Sequence, residues 1–307
     1  MFPYSASFPK EGSLQHALDI LSRISGFEHP DRIEPLRGLS NRVWLVVLGD
    51  REYVFRLASP SADRLGIDRE VEADVLRLAH EAGLGPEVVR HVLPEGHLIT
   101  RRIPAEPFSE TPERYRKPDV LRSIVRTVRR VHALPAIEHT FDPFERIRAS
   151  FRRAAEHNVQ LPEGSERILQ RLDEIESARG PLEPPYLALC HNDLFAGNLL
   201  DADPIRLIDW EFAGMGDVFF DLATLVVATD ESAPLPDAHR HVILDEYFGA
   251  DVPEHRRHLD DMVFVAQLHV VAWGLTHHVL GTPEHGWEGF TFLGFATELL
   301  TQLIAEL

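Results

Sequence analysis

Val, Leu, Tyr, Trp and Phe dominate two short runs, residues 41–49 and 52–58, separated by Gly49-Asp50, and this pattern predicts a β-hairpin. The period then changes. Over 68–82, Val71, Val75, Leu76, Leu78 and Ala79 recur at helical spacing among charged positions, and Gly83 supplies a stop, so an amphipathic helix is expected. Two more strands are predicted at 88–92 and 97–101, so the first hundred residues read strand, strand, helix, strand, strand.

Four prolines, at 104, 107, 112 and 118, mark 103–118 as a linker ahead of a long helix at 119–134, which gathers Leu121, Ile124, Val125, Val128 and His132 on one face. Beyond it the apolar spacing is helical except at 187–190 and 206–209, two short strands. The expected fold class is therefore α+β, with a small β-rich N-terminal domain over 1–103 and a larger, mainly helical C-terminal domain over 104–307. A length of 307 residues suits two separate cores. Neither an internal repeat nor a low-complexity tract interrupts the pattern.

Composition narrows the function. The apolar fraction of 44% and charged fraction of 26% are those of an ordinary globular chain. Residues 1–20 lack a signal-peptide core, and apolar runs such as 223–228 are too short to span a bilayer, so no membrane association and a cytoplasmic location are expected. With Cys190 as the single cysteine, an intramolecular disulfide is impossible and redox chemistry is disfavoured. The net charge of −18 argues against nucleic acid as a partner. Residues 1–103 hold 15 acids and 13 bases, whereas 104–307 hold 34 acids and 18 bases, so the acidity sits in the second part. Such a field would draw in a cationic substrate, and it equally serves solubility.

The segment His191-Asn192-Asp193-Leu194-Phe195-Ala196-Gly197-Asn198 follows one predicted strand, and Asp209 closes the next. This order suits phosphoryl transfer, which needs a carboxylate beside the attacking hydroxyl and hard oxygen ligands for Mg²⁺. Asp193 is then the base, and Asn198 and Asp209 are the metal ligands.

Residues 190–200, with Leu207-Ile208-Asp209-Trp210-Glu211-Phe212-Ala213-Gly214-Met215-Gly216-Asp217 and Phe220-Asp221-Leu222-Ala223, carry a resemblance. The chain resembles small-molecule kinases of the choline kinase and aminoglycoside phosphotransferase superfamily, most of all bacterial choline kinase-like and thiamine kinase-like members. The resemblance implies a bilobal protein-kinase-like fold, with ATP and Mg²⁺ as cofactors and the same roles for Asp193, Asn198 and Asp209. Protein kinases usually carry a lysine two residues after the catalytic Asp, where this chain has Phe195. Their Asp-Phe-Gly is here Asp209-Trp210-Glu211, and no Ala-Pro-Glu follows, so the acceptor is expected to be a small-molecule alcohol.

On the nucleotide side, Leu36-Arg37-Gly38-Leu39-Ser40-Asn41 resembles the family's phosphate loop, in which Ser40 and Asn41 would cover the phosphates. The chain's two lysines, Lys10 and Lys117, both lie outside the predicted strands, and Arg56 stands where the family has Lys or Arg. A guanidinium binds phosphate in bidentate fashion, so the exchange leaves the site competent. Glu70 and Glu72 are both candidates to hold that cation, and counting back from Leu84-Gly85-Pro86 favours Glu72. Thr100, Arg101, Arg102 and Ile103 would form the hinge whose backbone meets adenine.

On the acceptor side, Trp273 matches a tryptophan of the choline kinase-like helix, and a core aromatic at helical spacing is the competing account. Glu211, Asp217 and Asp221 are further carboxylates available to a cation, with Asp221 expected to support the backbone of the catalytic loop. His191 is expected to be scaffold. His277, where bacterial choline kinase-like chains usually have Gln, weakens the case for choline. Thiamine or an aminoglycoside as acceptor, and a catalytically silent nucleotide-binding regulator, are the alternatives.

Overall fold

The computed structural model describes residues 11–36, 42–59, 62–227, 235–250, 252–282 and 290–307. They fall into two compact units, one running to residue 104 and the other formed by 105–282 with 290–307.

The N-terminal unit begins with α1 (Glu11–Leu21) and β1 (Arg32–Leu36), both additional to the predicted elements. The hairpin β2 (Arg42–Leu48) and β3 (Arg51–Leu57) turns at Gly49-Asp50, α2 spans Arg69–Glu81, and β4 (Val88–Val92) and β5 (His97–Arg101) follow. The strands form one antiparallel sheet in the order β1-β2-β3-β5-β4. Alternation in β3 sends Tyr53, Phe55 and Leu57 to one face, where they join Trp44, Val46 and Ile99 in a core closed by Ala17 and Leu21 of α1. Arg56 therefore points to the other face. There lies α2, started by Asp68, whose carboxylate accepts from the N–H groups of Glu70 and Val71 at 3.0 and 3.1 Å.

The C-terminal unit contains α3 (Pro112–Tyr115), α4 (Pro118–His132), α5 (Pro143–Glu156) and α6 (Ser165–Arg179), then β6 (Leu187–Cys190), β7 (Leu199–Leu200), β8 (Arg206–Leu207) and β9 (Gly214–Asp217). It ends with α7 (Val218–Val227), α8 (Asp237–Phe248), α9 (Pro253–Val279) and α10 (Phe292–Glu306). All ten residues of α7 are buried, and α9 packs against α5, α7 and α10, so these helices form the centre of the unit. By length and composition α9 is apolar enough to cross a membrane, contrary to the expectation from sequence, but 67% of its most apolar window is buried within the fold, as in a core helix.

Two corrections concern the strands around the candidate site. The second strand stops at Leu207, and Asp209 lies beyond it with φ +63°. Moreover two further strands, β7 and β9, lie where helical spacing was expected, and β6 pairs with β9 while β8 pairs with β7. Gly214-Met215-Gly216-Asp217 shows no apolar alternation, because its glycines serve close approach. A Cβ on Gly216 would lie 3.1 Å from the Asn192 Oδ1, and one on Gly214 would lie 3.2 Å from the Phe141 nitrogen.

Candidate active site

Asp193 lies in the loop between β6 and β7. The Asn198 side-chain amide donates to the Asp193 Oδ2 at 2.7 Å and to its main-chain carbonyl at 2.8 Å. With its nitrogen committed, Asn198 has its Oδ1 as the atom that could hold a cation. The β7–β8 pairing then carries Asp209 to the same place: the Ile208 N–H donates to the Asn198 carbonyl at 3.0 Å. This bond brings the main chain of Asp209 beside Asn198, and an amide and a carboxylate oxygen are donors of the kind that could hold Mg²⁺.

Asn192 and Asp209 have φ of +65° and +63°, two of the three non-glycine residues with positive φ among the described residues. Asn and Asp tolerate this conformation best, and it persists only where surrounding bonds enforce it. For Asn192 those bonds come from Asp221, which is fully buried. Its carboxylate accepts from the main-chain N–H groups of His191 at 2.9 Å and Asn192 at 2.6 Å. The Asn192 amide also donates to the Phe212 carbonyl at 3.0 Å. Asp221 is in turn 3.0 Å from the His132 Nε2, and the His132 Nδ1 is 2.6 Å from the Tyr247 hydroxyl. The loop-supporting position of Asp221 is thus present, with two partners that sequence reading did not assign. The available signal was a histidine on the apolar face of α4.

His191 is fully buried, and its Nε2 donates to the Ile208 carbonyl at 3.0 Å. Burial lowers the imidazole to about 4, the nearby Asp221 charge opposing the shift. A neutral ring packed 4.6 Å from Trp210 has the properties of scaffold. Together with His132 and Asp221, Cys190 is close enough to suggest a metal cluster. Asp221 and His132 are already hydrogen-bonded, and burial pushes the Cys190 thiol up, away from the thiolate a metal needs.

Glu211 is buried, as sequence reading could not show, and its charge acts on Arg146 of α5. The Arg146 guanidinium lies over the rings of Phe141 and Phe212, at 5.0 and 4.9 Å. Burial lowers it to about 10, with Glu211 opposing the shift. Asp217 holds Arg179 at 2.5 and 2.8 Å and caps α7 through the Phe219 N–H, so it is structurally engaged. Trp273 is half-buried, with its ring 4.7 Å from His277 and 5.2 Å from Phe292. Those contacts are what a core aromatic between α9 and α10 would make.

In the N-terminal unit, the Arg56 Nη2 lies 2.6 and 2.8 Å from the two Glu72 oxygens, and Glu72, not Glu70, is the partner. Thr100 is inside the sheet, in register with Val54 on one side and Val88 on the other. Its main chain belongs to the ladder, and Ile103 lies past the strand end, where a backbone can meet a base. Ser40 and Asn41 lie outside the described residues.

Residues 32–258 match the profile of the phosphotransferase enzyme family. The chain is similar to protein LicA of Haemophilus influenzae, 27% identical over 231 residues that make up 72% of this chain and 63% of that protein. It is also similar to thiamine kinase of Escherichia coli, 40% identical over 78 residues, 25% of this chain and 26% of that one. The chain thus spans less than two thirds of the length of these relatives. Among solved structures it matches a choline/ethanolamine kinase family protein from Mesorhizobium loti with a TM-score of 0.76 at 25% identity, covering 95% of this chain and 94% of that one. The fold is protein-kinase-like. Asp193, Asn198, Asp209 and Asp221 fall inside the family match, whereas Trp273 and His277 lie beyond it.

Proposed function

Because the chain belongs to the phosphotransferase enzyme family, we propose that it is a small-molecule kinase that transfers the γ-phosphate of ATP to a hydroxyl of choline or a similar cationic alcohol. The observation that carries this reading is the Asn198 amide bound to both the side chain and the main chain of Asp193, on a loop whose N–H groups are held by Asp221. Asp193 accepts the proton of the acceptor hydroxyl as its oxygen bonds to the γ-phosphorus. The bond from phosphorus to the bridging oxygen breaks and ADP leaves.

Asn198, through its Oδ1, and Asp209 would hold Mg²⁺. When bound, the ion offsets charge on the phosphate oxygens. Residues 1–103 form the nucleotide-binding part in this reading. Ser40 and Asn41 cover the phosphates, Arg56 held by Glu72 supplies a cation, and Ile103 meets the base. Residues 104–307 carry the transfer and the acceptor.

A cationic acceptor is supported by the acidity of the second part and by the 25% identity to a choline/ethanolamine kinase family protein. The Arg146–Glu211 pairing bears on the choice, since an internal cation over two aromatic faces already uses part of what would hold an ammonium group. Thiamine is the second reading, favoured by the 40% identity over 78 residues. ADP release would be measured with ATP, Mg²⁺ and, separately, choline, ethanolamine, thiamine and kanamycin. Choline or ethanolamine stimulating release above the acceptor-free rate supports the first reading, and thiamine alone doing so supports the second. No stimulation by any of the four, in a chain that also fails to bind ATP, would sink the kinase assignment.

A further inference from the structure

The support of the catalytic loop extends one residue beyond Asp221 and His132. The His132 side chain is 4% exposed and that of Asp221 is sealed from solvent, so the polar atoms along this row need partners. An ionised carboxylate only accepts, and both Asp221 oxygens already take main-chain N–H groups, of Asn192 at 2.6 Å and of His191 at 2.9 Å. The His132 Nε2, 3.0 Å from the Asp221 Oδ2, is therefore the nitrogen that must carry a proton. A neutral imidazole then has a bare Nδ1, and that atom faces the Tyr247 hydroxyl at 2.6 Å.

Tyr247 is equipped to donate. Burial raises its hydroxyl, which stays protonated, and its ring meets the imidazole edge-on with centroids 5.5 Å apart. The residue before it helps to set its place. Glu246, also in the last turn of α8, accepts from the Arg126 Nε of α4 at 2.9 Å, and its carbonyl faces the Arg129 Nη1 at 3.5 Å. The end of α8 is thus tied to the helix that carries His132.

We propose that Tyr247 is a positioning residue for phosphoryl transfer: its hydroxyl donates to the His132 Nδ1, which fixes the tautomer that presents Nε2–H to Asp221 and so holds that carboxylate under the catalytic loop. The inference rests on the kinase reading above. Without the hydroxyl, the imidazole proton is no longer held on Nε2. Once it moves to Nδ1, the lone pairs of Nε2 and of the Asp221 Oδ2 face each other at 3.0 Å. The carboxylate then turns from that contact, and the N–H groups of His191 and Asn192, which precede Asp193, lose their fixed acceptor.

The test is Tyr247→Phe, with steady-state ADP release by the full chain on the acceptor that the panel selects. Turnover is expected to fall about tenfold, the scale of one buried hydrogen bond, with KM for ATP unchanged. In a His132→Gln background, where an amide N–H takes the place of Nε2 and there is no tautomer to choose, adding Tyr247→Phe should cost less than about twofold. An equal loss in both backgrounds would mean that the tyrosine only packs. Unchanged turnover in Tyr247→Phe, or a change confined to KM, would equally overturn the proposal. Nitrogen NMR of histidine-labelled protein is a second readout that needs no activity. The His132 signals, identified by their absence from His132→Gln or His132→Asn, should show a proton on Nε2 alone in the wild type and on Nδ1 as well in Tyr247→Phe. A wild type protonated at Nδ1 would overturn the proposal. A wild type with the expected tautomer but no ADP release with any acceptor would count against the kinase reading instead.

Discussion

Asp221→Asn isolates the support of the catalytic loop from its chemistry. In the wild type the Oδ1 accepts from the Asn192 N–H at 2.6 Å, and the Oδ2 accepts from the His191 N–H at 2.9 Å and faces the His132 Nε2 at 3.0 Å. An asparagine preserves the shape and one acceptor. Its NH₂ group, however, turns a donor toward two donors in a site with no exposure. Each hydrogen bond to a charged group contributes about 1.5–3 kcal/mol. Losing the two at the Oδ2, with partial rescue by a change of His132 tautomer, should cost roughly 3 kcal/mol. For a chain of this size that is a fall in Tm of roughly 5 °C by differential scanning calorimetry. Asn192 is then released from its left-handed conformation, and Asp193, the next residue, shifts with it. A misplacement of about 1 Å at a reacting group lowers turnover on the order of a hundredfold. The assay is steady-state ADP release with the acceptor that the panel selects, beside ATP binding, which this substitution should leave unaltered. A variant with wild-type Tm and wild-type kcat would refute the role given to Asp221.

Asp193→Asn should lower kcat about 10²- to 10⁴-fold while ATP affinity is kept, because only the proton acceptor is lost; unchanged turnover would reject it as the base. Asp209→Ala should abolish the Mg²⁺ dependence of ATP binding, and calorimetry with and without the ion checks this. Stability should also fall with acid. Burial lowers His191 and His277 to about 4 and His269 to about 3, from an ordinary 6.5. The unfolded chain therefore binds more protons below pH 6.5, and stability present above that value is lost as pH drops toward the folded values. Each buried histidine contributes about 1.4 kcal/mol per pH unit in that window. His269→Phe should flatten the profile measured by urea unfolding between pH 7 and 5, and an identical slope would count against burial of a neutral ring.

Some elements were legible because one local signal sufficed. The hairpin around Gly49-Asp50 and the helix ended by Gly83 combine apolar period with a turn or stop residue, and β4 and β5 match their predicted bounds. Other elements are defined by partners. Strand β1 contains Pro35, which only an edge position accepts, and α1 is anchored through Ala17 and Leu21 in the cluster with Trp44, Val46 and Phe55, which lie far along the chain. Strand β9 places Gly214 and Gly216 where a Cβ would crowd Phe141 and Asn192, so half of its positions carry no side chain and it shows no strand pattern.

The same division runs through the candidate site. Asp193, Asn198 and Asp209 lie within seventeen residues of one another and could be seen together as chemistry. The groups that hold them or tune their surroundings lie far off in sequence: His132 and Tyr247 behind Asp221, and Arg146 beside Glu211. Each of these is a polar residue on an otherwise apolar face, where it would be costly without a partner. That cost is a signal the sequence does carry: His132 among Leu121, Ile124, Val125 and Val128 asks for a buried hydrogen-bond acceptor, though only the fold shows that the acceptor is Asp221. A charged or titratable side chain on a helix's apolar face therefore marks a support of the site more reliably than the acidic surface marks its substrate.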